Sequence, residues 1–170
     1  MTRWAPQKTD VMDALVTEIL HNYARARAAI AIDGIPGAGT EQFARDLASA
    51  FERQQHPAMA QVVGGGSMID VTDAARIRSD LIPAFHSLEP TPGVLLIAGF
   101  GLLQPDLRGS WTYTIWLDVP REVADARSTA PADTAGRDRY WSEIRPRVAA
   151  SAIIDTTDLE HPRRVFADFC

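Results

Sequence analysis

The sequence predicts an α/β fold of three layers, a parallel sheet covered by helices on both faces. Three observations point to it. Short apolar runs alternate with segments of helical periodicity; one of those runs ends in a glycine-rich loop that opens a helix; and no repeat, low-complexity tract or linker interrupts the 170 residues. At 46% hydrophobic and 23% charged residues, the composition is that of an ordinary folded chain. One domain over 1–170 is expected, an N-terminal helix over 9–27 followed by a core over 28–170.

Each element has its own signal. Thr9 can cap the first helix, whose apolar residues Val11, Leu15 and Ile19 recur every four positions. Residues 28–33 (AAIAID) form a nearly unbroken apolar run, the pattern of a strand buried on both faces. Phe43, Leu47 and Phe51 then mark one face of a helix over 40–54, and 58–63 reads as a second strand. A third helix over 73–87 turns Ile77, Leu81 and Phe85 inward, with Pro83 expected to bend it. Strands follow at 94–97, 113–117 and 152–155, making five. Pro120 suits the first position of a helix, 136–148 has helical periodicity, and the tail from Pro162 is expected to close with a further helix.

Charge and composition exclude several functions. A net charge of −5 gives no basic surface for duplex nucleic acid. No apolar run reaches the roughly 20 residues of a membrane-spanning helix, and the first ten residues lack the apolar stretch of a signal peptide, so a cytoplasmic location is expected. Cys170 is the single cysteine, which rules out an intrachain disulfide and a Cys cluster for zinc. His21, His56, His86 and His161 lie in four separate segments without metal-ligand spacing. Gly66-Ser67 lacks a nucleophile-elbow pattern, and Trp116, inside a strand, reads as core, leaving little for a ligand platform with Trp111.

In such folds ligands sit beyond the carboxyl ends of the strands, which directs attention to the loop after Asp33. Gly34-Ile35-Pro36-Gly37-Ala38-Gly39 follows a buried strand and opens a helix. Glycines there let backbone N–H groups turn inward, and the helix dipole adds about half a positive charge, so Gly34, Gly37, Ala38, Gly39, Thr40 and Glu41 are the candidate phosphate-binding residues. A working loop of this spacing continues with Lys and then Ser or Thr. Here those positions are Thr40 and Glu41, and the only lysine of the chain, Lys8, precedes the first helix. A carboxylate about 4 Å from a phosphate charge costs on the order of 4 kcal/mol at an effective dielectric of 20. Without a compensating divalent ion, triphosphate binding should fall by several orders of magnitude, at about 1.4 kcal/mol per tenfold.

AIAIDGIPGAGTEQFARDLA resembles the first strand, loop and helix of uridine kinases and related nucleoside kinases. VLLIAGFGLLQPDLRGSWTYTIWLDVPREV resembles the segment of that family carrying its third and fourth strands, and AIIDTTDLEHP its fifth strand and following loop. The resemblance spans most of 28–162 and implies a five-stranded parallel sheet of the P-loop kinase kind, ATP as phosphoryl donor, a nucleoside hydroxyl as acceptor, and an arginine-bearing lid. It places Thr157 and His161 near an adenine base.

The sequence departs from the family where the chemistry is carried. The acidic residue ending the third strand corresponds to Ala98, and the aspartate pair serving as base corresponds to Gly64-Gly65-Gly66-Ser67, with Asp70 close by. Of the lid arginines only Arg127 is kept; later ones correspond to Ser128, Pro131 and Ala132. Arg137, Arg139, Arg145 and Arg147 follow, either a solvated helix face or side chains reaching back into the cleft. Asp70 and Arg127 are the remaining catalytic candidates. Asp33 and Glu41 are weak metal candidates, Asp33 equally suited to holding the loop, so magnesium binding is in doubt.

Lysine, metal ligands, base and lid arginines are the recurring parts of phosphoryl transfer, and all are depleted. The expected function is that of a pseudokinase: a nucleoside-kinase-like P-loop protein deficient in phosphotransfer, binding ATP, another nucleotide or a phosphorylated small molecule, or serving a protein partner. Two alternatives stand beside it. One is an active small-molecule kinase in which Glu41 and Asp70 bind magnesium and Arg127 replaces the lysine; the other is a structural subunit with an empty pocket.

Overall fold

The computed structural model describes residues 6–23, 27–88, 93–129 and 133–166. Six strands form one mixed sheet in the order β2-β3-β1-β4-β5-β6, where β1 is Arg27–Asp33, β2 Ala58–Val62, β3 Gly93–Gly99, β4 Tyr113–Asp118, β5 Ala152–Asp155 and β6 Arg163–Val165. The first five are mutually parallel. β1 lies between β3 and β4, with Ile30 opposite Leu96 on one side and Tyr113 on the other. β3 is buried at every position and β1 at all but its first, as a central strand covered on both faces requires. One apolar cluster joins α1 (Lys8–Tyr23) and α2 (Thr40–Arg53) to the sheet through Leu15, Ile19, Leu47 and Phe51. A second, on the opposite face, gathers Ile77, Phe85, Leu95 and Ile97.

Four expectations are corrected. The sheet has six strands, because the residues after Pro162 form β6 antiparallel to β5, with Ile154 opposite Arg164, where a helix was expected. The first helix starts at Lys8, ahead of Thr9, and the Asp10 carboxylate accepts the Gln7 N–H at 2.9 Å; the helix ends at Tyr23, and Arg27 already belongs to β1. The segment expected as one helix over 136–148 is α6 (Thr134–Arg139), a π-helical turn (Tyr140–Ile144) and α7 (Pro146–Ala149). Arg145 breaks it at φ 51°, because the residue before a proline is disfavoured in helical geometry. Pro120 precedes α5 (Arg121–Arg127) as its cap, outside the first turn.

The third helix runs as α3 (Val71–Arg76), a π-helical turn (Ile77–Leu81) and α4 (Ile82–His86). The wider turn ends at Leu81, two residues before Pro83, whose missing N–H and bulky ring do not fit a regular helix interior. Pro131, Ala132 and Cys170 lie outside the described residues. No helix among the described residues is long and apolar enough to cross a membrane.

Candidate functional site

The glycine loop sits at the carboxyl end of β1, the central strand. Gly34 N–H donates to the Gly99 carbonyl at 3.2 Å, tying the start of the loop to the end of β3. Gly37 and Gly39 hold φ values of 89° and 87°, a region closed to most side chains. Gly39 is the N-cap of α2 and brings no side chain to its first turn. The six expected phosphate-binding residues therefore fall together, and all but the buried Ala38 line a cavity of about 380 Å³ with Val63, Phe100 and Arg127.

Both glycines are covered closely. A Cβ at Gly37 would lie 2.0 Å from the Ala124 carbonyl oxygen on α5, and one at Gly39 would lie 2.7 Å from Leu159 Cδ2 in the loop after β5. Thr156 Oγ1 donates to the Ala38 carbonyl at 3.0 Å. The glycine loop thus packs against α5 and the post-β5 loop together, a contact that its sequence does not announce.

Arg127 reaches this corner but is committed to the protein. Its guanidinium donates to the Thr156 carbonyl at 2.9 Å and to the Thr157 carbonyl at 2.6 Å. Glu41 is half-exposed and paired with Arg45 one turn later, at 2.5 Å. That partner offsets part of the repulsion a phosphate would meet. Lys8 pairs with Asp46 at 3.0 Å and Glu160 at 3.4 Å, which fixes it away from the Thr40 position.

Asp70 caps α3, accepting the Asp73 N–H at 2.8 Å, and lines a neighbouring cavity of about 260 Å³ with Ser67 and Arg137; Pro36, Gly66, Phe100 and Ser128 border both this cavity and that of the glycine loop. The two residues expected to bind a base are not brought together on one wall: Thr157 borders a third cavity, whereas the exposed His161 ring pairs with Asp158 at 3.0 Å, and Leu159 lies over Gly39. Trp116 is 1% exposed and in the core, and Trp111 donates to the Leu102 carbonyl at 2.8 Å.

Asp33 is fully buried. It accepts the Gly101 and Leu103 N–H groups, each at 3.0 Å, and the Tyr140 hydroxyl. Burial pushes its carboxyl up to about 6, against the opposing effect of those donors. Burial and the neighbouring carboxylate push the Tyr140 hydroxyl far above its ordinary range. Asp33 thus fastens the end of β1 to the loop after β3 and to the π-helical turn at Tyr140. The residues present do not fit a magnesium ion: Asp33 is enclosed by donors, Glu41 is held by Arg45, and Ala98 is apolar. Among the described residues no three His, Cys, Asp or Glu side chains converge on one point.

Comparison with solved structures then bears on the architecture. A possible uridine kinase from Bacillus stearothermophilus superposes with a TM-score of 0.65 at 14% identity, over 85% of this chain and 97% of that one. A proposed fructose transport system kinase from Silicibacter sp. TM1040 gives 0.59 at 20% identity, over 82% and 94%. The fold is that of the P-loop kinases. At these identities the likeness concerns the fold alone, in which the glycine loop of this chain sits at the end of the central strand. No protein-family model matches the chain, and no curated protein matches it.

Sequence reasoning missed Tyr140, Trp141, Leu159 and Arg121 at this end of the sheet. Tyr140 and Trp141 sit in a π-helical turn where regular helical spacing was expected, and Leu159 carries no motif. Of the four arginines after the lid, the structure divides the two options: Arg137 is buried and Arg147 pairs with Asp118 at 2.7 Å, while Arg139 and Arg145 are exposed.

Proposed function

We propose that this kinase-like P-loop protein binds a nucleotide or another phosphorylated small molecule at its glycine loop and is deficient in phosphotransfer. One observation carries the reading. Gly37 and Gly39 at positive φ before α2 give the loop a backbone that would suit a phosphate, while every side chain that would do the chemistry is absent or engaged elsewhere. Thr40 stands at the lysine position, Arg127 is spent on two carbonyls, Glu41 on Arg45 and Asp70 on the α3 cap. Backbone N–H groups and a helix terminus bind an anion without those side chains, whereas in-line transfer needs charge neutralised on the moving phosphoryl group. The likeness to two proteins named as kinases supports a phosphate-bearing ligand over other classes.

The test is calorimetric titration with ATP, ADP, GTP and UMP, each with and without magnesium, on the wild type and Glu41→Ala. Magnesium-independent binding that is kept or tightened in Glu41→Ala is expected, together with no ATP-dependent nucleoside phosphorylation. Magnesium-dependent binding lost in Glu41→Ala would favour an active kinase with a rearranged metal site. Absence of any heat or thermal shift would leave a structural or partner-binding role, since a ligand that binds only the native state must stabilise it. Thr40→Lys combined with Glu41→Thr is expected to raise ATP affinity at least tenfold, by exchanging a repulsion for an attraction.

A further inference from the structure

A third cavity, of about 400 Å³, opens at the carboxyl ends of β4 and β5, bordered by Ile35 of the glycine loop, by Thr157 and by two carboxylates, Asp118 and Asp155. Three arginines from three different helical segments border it: Arg121 of α5, Arg137 of α6 and Arg147 of α7. Each is fixed by one carboxylate, Arg121 by Asp138 at 2.5 Å, Arg137 by Asp125 at 2.6 Å and Arg147 by Asp118 at 2.7 Å. A guanidinium has five N–H donors, so a single ion pair orients it and leaves donors for a second acceptor.

Arg137 is the decisive member. It is only 6% exposed, its sole ion-pair partner Asp125 is 46% exposed, and its Nε has no partner among the described residues. A buried cation held by one solvent-screened carboxylate is incompletely compensated, and an anion in this cavity would add charge compensation without reaching the enclosed Nε; Arg137 borders the Asp70 cavity as well. Beside it stands Trp141, a tryptophan 39% exposed whose ring is steadied edge-on by the buried Trp116 at 5.8 Å. With Val119 and Pro120 it gives the cavity an apolar wall next to the guanidinium groups. A fixed aromatic surface beside convergent cations is the combination that receives a ring and an attached anion together.

We propose that this cavity is a second ligand site, beside the glycine loop but not lined by Gly37, Gly39 or Thr40, for a small planar ring compound bearing a phosphate or carboxylate group. The ring packs on Trp141 and Pro120, and the anion is taken by Arg121 and Arg147, with the charge of Arg137 behind them. The volume lies within the range of small-molecule sites.

Phenyl phosphate is the probe, followed by calorimetry, with phenol and inorganic phosphate as partial ligands. Arg121 and Arg147 are exposed and Trp141 partly so, so Arg121→Gln, Arg147→Gln and Trp141→Ala are expected to stay folded, which circular dichroism and thermal melting check. Saturable binding of phenyl phosphate is expected, tighter than that of either partial ligand. It should weaken about tenfold in each arginine variant, the loss of one charge-assisted hydrogen bond, and at least as much in Trp141→Ala. It should be unchanged in Thr40→Glu, which places a carboxylate in the glycine-loop cavity and leaves the lining of this one untouched. No binding to folded wild type, binding indifferent to all three substitutions, or binding lost in folded Thr40→Glu would each overturn the proposal; the last would place the probe in the glycine loop.

Discussion

Asp33 is the residue on which three segments converge, and its chemistry runs against the usual direction for a carboxylate. Backbone donors and the Tyr140 hydroxyl favour its ionised form, yet complete burial outweighs them and lifts the carboxyl from 3.8 to about 6. The folded state therefore binds a proton more tightly than the unfolded chain. Between pH 4 and 6 the unfolded chain has released this proton and the native state has not, so stability is lost as pH rises through that window and levels off above it. Chemical denaturation of wild type and Asp33→Asn at pH 4, 5, 6 and 7 checks this. The advantage of wild type over the variant should be largest near pH 4 and shrink by a few kcal/mol, at about 1.4 kcal/mol per pKa unit, by pH 6 to 7. An advantage that grows with pH would contradict it. The sequence shows Asp33 ending a buried strand, which suffices to nominate it for holding the loop. It does not show Tyr140, 107 positions away, arriving on the same carboxylate.

The glycine loop illustrates what an element reveals and what it conceals. Its spacing, the buried strand before it and the periodic helix after it are local patterns, and local patterns are legible in one sequence. What rests on it is not local: Ala124 comes from α5 and Leu159 from the loop after β5, neither in a recognisable motif. Two substitutions separate these contacts. Gly37→Ala places a methyl 2.0 Å from the Ala124 carbonyl at a φ of 89°, and it should destabilise the protein by about 2–3 kcal/mol or more, the cost of local strain plus a displaced helix. Leu159→Ala removes the cover from Gly39. It should cost about 1–2 kcal/mol, less than a core leucine because the side chain is half-buried, while raising pyrophosphate affinity at the loop. Denaturation and titration on the same samples distinguish the two outcomes. A Leu159→Ala variant that binds pyrophosphate no better than wild type would mean that the leucine does not obstruct the loop.

Across the whole molecule, the sheet edge is closed by side chains from segments far apart in sequence. Glu18 on α1 accepts from Arg164 on β6 and from the Tyr113 hydroxyl of β4, the latter at 2.5 Å. β6 has only three residues, too few for a periodic signal, and its pairing with β5 coincides with this ion pair. For that reason α1 was legible from the four-residue spacing of Val11, Leu15 and Ile19, whereas the strand it helps to secure was not. The hydrogen bond from Arg164 depresses the Glu18 carboxyl below its ordinary value of 4.5, so its contribution has the opposite sign to that of Asp33: present above that pH, lost as pH falls below it. Glu18→Gln should cost about 1–2 kcal/mol at pH 7, discounted because the partners are about one-third exposed, and close to nothing at pH 3. The double variant with Asp33→Asn tests whether the two act independently. They lie on consecutive elements but share no hydrogen-bond partner among the described residues, so their effects should add within about 0.5 kcal/mol at each pH. A larger deviation would mean that β6 and the loop at Asp33 unfold as one unit, coupled through β4 and β5.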